Sequence, residues 1–416
     1  MTGESTVGDL ITTLIDYRGK TPPKTASGVP LITAKVIKGG IILAEPREYI
    51  AEDNYDAWMR RGLPASGDIL ITTEAPLGEV ARVGVDARIA LAQRVILLRP
   101  DSEKVDPSFM FHYLRSPQAQ AALGRRSSGT TVSGIRQPEL RALEIPLIAR
   151  PAQQAVGEIL DCIEDLIEND RRRVEVLEET ARAIYREWFV QFRYPGHSDV
   201  PMADSALGAT PAGWEIAPAS TALTINPRVK FDRSVERPFI AMGDLDERSM
   251  GCRPSQVRSG SSGAKFERGD TLFARITPCL QNGKTGLVQS LPDGEVGLGS
   301  TEFIVLRGRL VGPAFTYCLA REDDFRGHAI ASMSGASGRQ RVRNECFDSY
   351  LLAVPPEGLG DKFETTVEPL LSQAAVLLDE TESLRNLRDL LLPRLVTGQI
   401  DVSTLDLNAL IEAEVA

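Results

Sequence analysis

What this chain lacks narrows its chemistry. Its five cysteines (Cys162, Cys252, Cys279, Cys318 and Cys346) are scattered, odd in number and never within a C-x-x-C pair, so neither a disulfide framework nor a zinc site is expected. The three histidines, His112, His197 and His328, stand far apart, which leaves histidine-based metal or nucleophile chemistry poorly supplied. No run approaches the roughly 18 apolar residues of a membrane span, and the opening MTGESTVGDL lacks the basic and apolar regions of a targeting segment, so the chain reads as cytoplasmic. There is no G-x-S-x-G, no H-E-x-x-H and no Asn-Pro-Pro-aromatic loop. NGKTG at Asn282 has Pro278 where a phosphate-binding loop needs glycine, and Glu103 and Lys104 of PDSEK are adjacent, so they cannot both face one metal from a strand. No catalytic centre, metal or bound cofactor is expected.

What is present is size and pattern. At 416 residues the chain exceeds a comfortable single core, and two or more domains are expected. The net charge of −10 argues at first against a nucleic-acid partner, because phosphate contacts need cations, but the acid is concentrated. Residues 1–150 carry 19 basic against 17 acidic side chains and residues 201–358 carry 18 of each. Residues 151–200 carry 6 basic against 11 acidic, and residues 359–416 carry 4 against 11. Large neutral blocks thus alternate with small acidic ones.

The alternation reflects an internal repeat. GDILIT at Gly67 recurs as GDTLFA at Gly269, VPLITA at Val29 as RPFIAM at Arg237, and the segment around Gly129 as that around Gly335. LEIPLIA at Leu143 and YLLAVPP at Tyr350 each run directly into a helical segment. The large blocks read as β-branched runs broken by glycine and proline, each followed by a helix, over PSFMFHYLRSPQAQAAL in the first and near PAFTYCLAREDDF in the second. Each is expected to be an α+β domain: residues 1–150, and residues 196–358 with a linker over 196–213.

The acidic blocks, 151–195 and 359–416, read as long helices. Mostly apolar residues recur at the 4-3 spacing of a helical seam: Ile163, Ile167, then Asp170 as an interruption, Val174, Leu177, Ala181, Ile184 and Trp188, and in the second block Leu370, Ala374, Leu377, Thr381, Leu384, Arg388, Leu391 and Leu395. Two such stripes in one chain most simply pair with each other as an antiparallel, coiled-coil-like spacer. The first ends in REWFVQFRYPG, where Trp188, Phe189, Phe192 and Tyr194 crowd an otherwise charged helix. That cluster is expected to set the angle between helix and domain, or to dock a partner. The acidic faces are expected either to be solvated or, through Glu164, Glu168 and Glu175, to face basic partner surfaces.

The polar inventory suits DNA. Loops that combine cations, hydroxyls and glycine let arginine forks, hydroxyls and backbone amides approach phosphates and base edges. In the first block these are Arg18, Lys20 and Lys24, then Arg125, Arg126, Ser128, Thr130, Thr131 and Arg136. In the second they are Arg228 and Lys230, then Arg275, Gln281, Asn282 and Lys284, then Ser334, Ser337, Arg339 and Arg341. Matching loops occur in both repeats.

With these segments in view, the chain resembles the DNA-specificity (S) subunits of type I restriction-modification systems. The resemblance rests on DYRGKTP, GVPLITAKVIKGG, TTEAPLGEVA, LAQRVILLRP, SSGTTVSGIRQPELRALEIPL with the helix that follows it, and LRDLLLPRLVTGQI. It departs where SGASGRQRV replaces SGTT in the second block and where Pro369 and Pro393 interrupt the second helix, Pro369 being expected to mark a helix start. The resemblance implies two target-recognition domains separated by helices and no chemistry in this chain. It also implies two methyltransferase subunits for adenine N6-methylation and restriction-translocase subunits, with S-adenosylmethionine, ATP and Mg used by those partners. Two readers on such a spacer would meet double-stranded DNA about 10 base pairs apart. A single-chain modification enzyme would need motifs that are missing; a DNA-binding repressor or scaffold outside restriction is the remaining alternative.

Overall fold

The computed structural model describes residues 3–402 apart from 18, 20, 46, 86, 87, 130–132 and 337. The chain forms two compact units, one made of residues 1–166 with 383–416 and the other of residues 167–382. In the first, strands Ile11–Asp16, Val95–Pro100, Ile69–Thr73 and Leu77–Arg82 lie in that order in an antiparallel sheet. In the second, Leu223–Ile225, Phe303–Gly308, Thr271–Ala274 and Thr285–Leu287 repeat the same order. A second small sheet accompanies each: Val29–Ile32 pairs in parallel with Ala90–Leu91, and its counterpart Arg237–Ile240 with Gly297–Gly299. Ile69–Thr73 and Thr271–Ala274 are buried along their whole length, which is why both read as continuous apolar runs rather than alternating ones.

One ion pair marks the repeat. The buried Asp68 carboxylate accepts Nε and Nη2 of Arg99 at 2.8 and 2.7 Å, and Asp270 accepts the same two atoms of Arg307 at 2.6 and 2.7 Å. Each aspartate directly precedes a central strand and each arginine is the penultimate residue of the neighbouring one, so the bidentate fork pins the sheet register. The helices that follow are shorter than expected. Ser116-Pro117 divides the first into Pro107–Arg115 and Pro117–Arg126, because proline cannot continue a helix and Ser116 caps the next one instead. Glu322 divides the second likewise, into Pro313–Arg321 and Asp323–Ala331.

The two units cap equivalent helices by opposite means. Asp106 accepts the amides of Ser108 and Phe109 at 3.0 Å, and Gly157 leaves room for it, since a Cβ there would stand 2.9 Å from Ser108 Cβ. In the second unit glycine occupies the cap, at Gly312, and Glu364 of the long helix reaches across to accept from Ala314 and Phe315 at 3.0 Å. A Cβ on Gly312 would collide with Glu364. Carboxylate and glycine have exchanged places between cap and long helix.

The long helices are Arg150–Tyr185 and Glu357–Val396. Within the first unit they run antiparallel, with Glu164 Oε1 3.1 Å from Arg388 Nη1 and with Val156, Leu160, Leu392, Leu395 and Val396 in one core. Within the second they run antiparallel too: Trp188 stacks edge-on to Phe363, and Val174, Ala181, Tyr185, Phe363, Val367, Leu371, Ala374 and Leu377 share a core. Ile163, Ile167, Val174, Phe189 and Leu377 are buried; Leu177, Ile184, Trp188, Phe192, Leu384 and Leu391 are half-buried. Pro369 does not start the second helix but lies inside it, as does Pro393. Each costs a backbone hydrogen bond and about 3 kcal/mol. Flanking Val367, Leu371 and Leu395, each burying a side chain for roughly 2 kcal/mol, offset that cost.

The aromatic end of the first helix belongs to the second unit's core. Arg186–Val190 form a π-helical turn, Phe192 takes a left-handed φ of 55° and Arg193 N donates to Glu187 O at 2.7 Å, so the helix widens and stops. Phe189 packs on Phe315 and Phe363, both at 4.8 Å between centroids, and Phe192 and Tyr194 pack on Trp214. Phe189 and Tyr194 are therefore part of the domain core, with Trp188 and Phe192 packed against it.

Polar side chains anchor the helices as well. The Asp161 carboxylate accepts His112 Nε2 at 2.8 Å, Ser108 Oγ at 2.6 Å and both terminal nitrogens of Arg82. Burial pushes its pKa up, but the bonds from His112, Arg82 and Ser108 outweigh that and hold it well below the carboxylate range. Burial dominates at His112 and pulls its pKa down, so the ring stays neutral with Nε2 protonated. On the same helix Glu178 is buried against the Met250 amide at 2.7 Å and Tyr317 Oη at 2.7 Å. Nor are the named acidic residues a bare face: Glu164 bridges Arg115 and Arg388, Glu168 holds Arg171 and Arg172, and Glu175 holds Arg171. Part of their charge is therefore taken up by arginines of the same chain.

Two outcomes follow. Glu364→Ala should lower stability by about 1–2 kcal/mol in chemical unfolding, the cost of an emptied cap, while Asp106→Ala should do the same to the first unit. A depressed histidine contributes stability that is complete above its unfolded pKa, about 6.5. Melting temperature should therefore fall as pH drops from 7.5 to 5.5, and His112→Gln should flatten that dependence.

Candidate nucleic-acid interface

One expected DNA loop of each unit is built on the same backbone frame. In the first, Ser128 and Gly134 exchange backbone hydrogen bonds of 2.9 and 3.0 Å, closing the loop between them, and Ile135 N donates to Thr73 O at 3.0 Å. Thr73 N in turn donates to Arg94 O at 3.0 Å. In the second, Ser334 and Arg341 exchange bonds of 3.1 and 3.0 Å, Val342 N donates to Arg275 O at 2.8 Å, and Arg275 N donates to Glu302 O at 3.0 Å. Each strand end is followed by a cis X-Pro bond, at Ala75-Pro76 and Thr277-Pro278. Gly129 and Gly335 have φ of 122° and 127°, a conformation that side chains resist, which explains the glycine in both loops.

Around the first frame Thr73, Glu74, Gln93, Arg94, Ser128 and Arg136 line a cleft of about 230 Å³. Arg94 Nε lies 2.7 Å from Glu74 Oε1. Arg136 and Arg125 are exposed and make no ion pair or hydrogen bond through their side chains among the described residues; Arg126 is 3.6 Å from Glu139. Lys24 pairs with Glu48 at 2.7 Å, away from the cleft lining. Arg18, Lys20, Thr130, Thr131 and Ser337 lie outside the described residues.

Beside the second frame a groove of about 590 Å³ is lined by Arg228, Arg233, Lys265, Arg275 and Phe231, among others. Arg228, Lys230 and Arg233 are exposed, and their side chains have no ionic or hydrogen-bonding partner among the described residues. Arg275 Nη2 donates to Val342 O at 3.1 Å, and Arg343 Nε to Ser334 Oγ at 2.9 Å. Arg341 grips Glu302 with Nε and Nη2 at 2.9 and 2.7 Å, which, with burial opposing, keeps the Glu302 pKa low. Arg339 and Gln281 are exposed. Asn282 donates to Glu247 at 3.0 Å and Lys284 to Met242 O at 2.9 Å; neither they nor Gln281 line the groove. Sequence reasoning passed over Glu74, Gln93, Arg94, Lys265 and Glu302, because only the fold brings strand end, turn and loop together. Among the described residues, no group of three His, Cys, Asp or Glu is placed to hold a metal, and no helix is long and apolar enough to cross a membrane.

Residues 5–179 match the family model described as the type I restriction modification DNA specificity domain. The match places the type I restriction specificity domain in the first part of the chain, and the relatives the chain resembles are type I restriction specificity subunits. It is similar to the type I restriction enzyme MjaIX specificity subunit of Methanocaldococcus jannaschii, 23% identical over 361 residues that span 82% of this chain and 79% of that one. It is also similar to the EcoEI specificity subunit of Escherichia coli, 30% identical over 153 residues, 35% of this chain and 26% of that protein. The crystal structure of a type I restriction-modification S subunit from M. genitalium shares the fold, with a TM-score of 0.56 and 15% identity over 95% of this chain and 96% of that one.

Proposed function

We propose that this chain is a type I restriction specificity subunit that reads a split DNA target, one half-site per α+β unit, and performs no chemistry of its own. The observation that carries the reading is the twice-built loop frame: one backbone arrangement, closed at Ser128–Gly134 and at Ser334–Arg341, carries two different sets of side chains. Identical frames with different contents suit two readers of the same kind that recognise different sequences. The exposed cations divide the labour. Arg228, Lys230 and Arg233, with Arg125, Arg136 and Arg339, supply phosphate contacts that give affinity and register, while the frame side chains face base edges.

Methyl transfer to adenine N6, ATP-driven translocation and cleavage belong in this reading to partner subunits, which bring S-adenosylmethionine, ATP and Mg. The long helices act as the spacer between the half-sites and as the platform for two methyltransferase subunits. A repressor outside restriction has no observation in its favour.

Adenine-methylation maps of the host with and without this gene test the reading. Loss of methylation at one bipartite motif is expected, and an unchanged map overturns it. Replacing Arg228, Lys230 and Arg233 with alanine should weaken DNA binding of the assembled complex on every sequence alike and reduce the slope of log K against log salt by about 2 to 3. One heptad inserted between Val174 and Ala181 should lengthen the preferred spacer without altering either half-site; an unchanged spacer would sink the ruler role of the helices.

A further inference from the structure

Each loop frame has three positions from which a side chain enters the same place: the strand end, the turn that bonds to it, and the closing residue of the loop. In the first unit these are Glu74, Arg94 and Gly134; in the second they are Ile276, Glu302 and Arg341. The bridges fix the correspondence, since Gly134 pairs with both Ser128 and Glu74, and Arg341 pairs with both Ser334 and Ile276. Each unit carries one carboxylate and one guanidinium in these three places, but wired differently. The first takes its carboxylate from the strand end and its guanidinium from the turn, 2.7 Å apart. The second takes its carboxylate from the turn and its guanidinium from the loop, also at 2.7 Å.

Stability does not account for the arrangement. These pairs are partly exposed, with side-chain exposures of 49% and 39% in the first and 46% and 24% in the second, where ion pairs contribute little. The place left without charge is also informative. A Cβ on Gly134 would stand 3.3 Å from Glu74 Cβ and 3.4 Å from Glu74 Oε2, so glycine keeps the carboxylate clear in the first unit. A guanidinium held at one edge by a carboxylate is oriented in advance, and its remaining N–H groups form the donor set that takes O6 and N7 of guanine. The carboxylate beside it can accept from the exocyclic amino group of a neighbouring cytosine or adenine.

We propose that these three-position sets are the specificity determinants of the two units, with Arg94 and Arg341 each taking a guanine in its own half-site and Glu74 and Glu302 orienting them. This rests on the half-site reading proposed above. The test is the full chain assembled with its methyltransferase subunits in a methylation-free host, with modified adenines mapped across the genome. Arg94→Gln should relax one guanine of one half-site, its preference over other bases falling roughly 5- to 100-fold, and leave the other half-site intact. Arg341→Gln should do the converse, and Glu74→Gln and Glu302→Gln should each broaden the same position as its partner.

Variants that modify the wild-type motif without change overturn the assignment while leaving the half-site reading standing. A wild-type complex that modifies no bipartite motif overturns both. If a variant modifies nothing, binding of its assembled complex to DNA randomised across the half-sites supplies the same readout: discrimination lost at one guanine supports the assignment, and uniform weakening across all bases overturns it.

Discussion

A helix of 36 residues with an apolar stripe cannot bury that stripe by itself, and the architecture of both units answers that constraint. Each α+β core is completed by a stretch of both long helices. Val156 and Leu160 join Leu392 and Leu395 beneath one sheet; Val174, Ala181 and Tyr185 join Phe363, Leu371 and Leu377 beneath the other. Stability of the domains and of the helices is therefore one quantity, and prolines at 369 and 393 are tolerated because packing rather than backbone bonding holds the second helix.

Polar anchoring adds direction to this apolar packing. Asp161 reaches His112, Ser108 and Arg82 in one unit, and Glu178 reaches Tyr317 and the Met250 amide in the other. Buried carboxylates need partners in fixed places, so they specify where a helix sits along its domain, which apolar contact alone does not. The exchange of Asp106 and Gly157 for Gly312 and Glu364 shows the same junction solved twice, with the carboxylate supplied once by the domain and once by the helix.

The frame that carries the candidate interface is mostly backbone. Amides and carbonyls of Thr73, Ile135 and Arg94, and of Arg275, Val342 and Glu302, hold strand end, loop and turn in register, so side chains there can differ without disturbing the fold. Recognition surfaces that must vary are well served by such a scaffold.

Much of this was legible in the chain alone. GDILIT and GDTLFA announce the repeat because a buried central strand tolerates little but β-branched and apolar residues, and the 4-3 spacing from Ile163 onward announces the helical seam because burial must recur with the helical period. Arg228, Lys230 and Arg341 are visible in the sequence as candidate DNA contacts. Proximity is not. Glu74 and Arg94 are 20 residues apart and Glu302 and Arg341 are 39, and no periodicity links them; the sheet and the loop closure bring them within hydrogen-bonding reach. Nor could composition reveal that Glu164 is occupied by Arg115 and Arg388, or that the aromatic residues of REWFVQFRYPG lie in or against a domain core. Local pattern determines which residues are buried and in which kind of element, because burial repeats along the chain; which charges far apart in sequence meet is decided by long-range packing, which leaves no local trace.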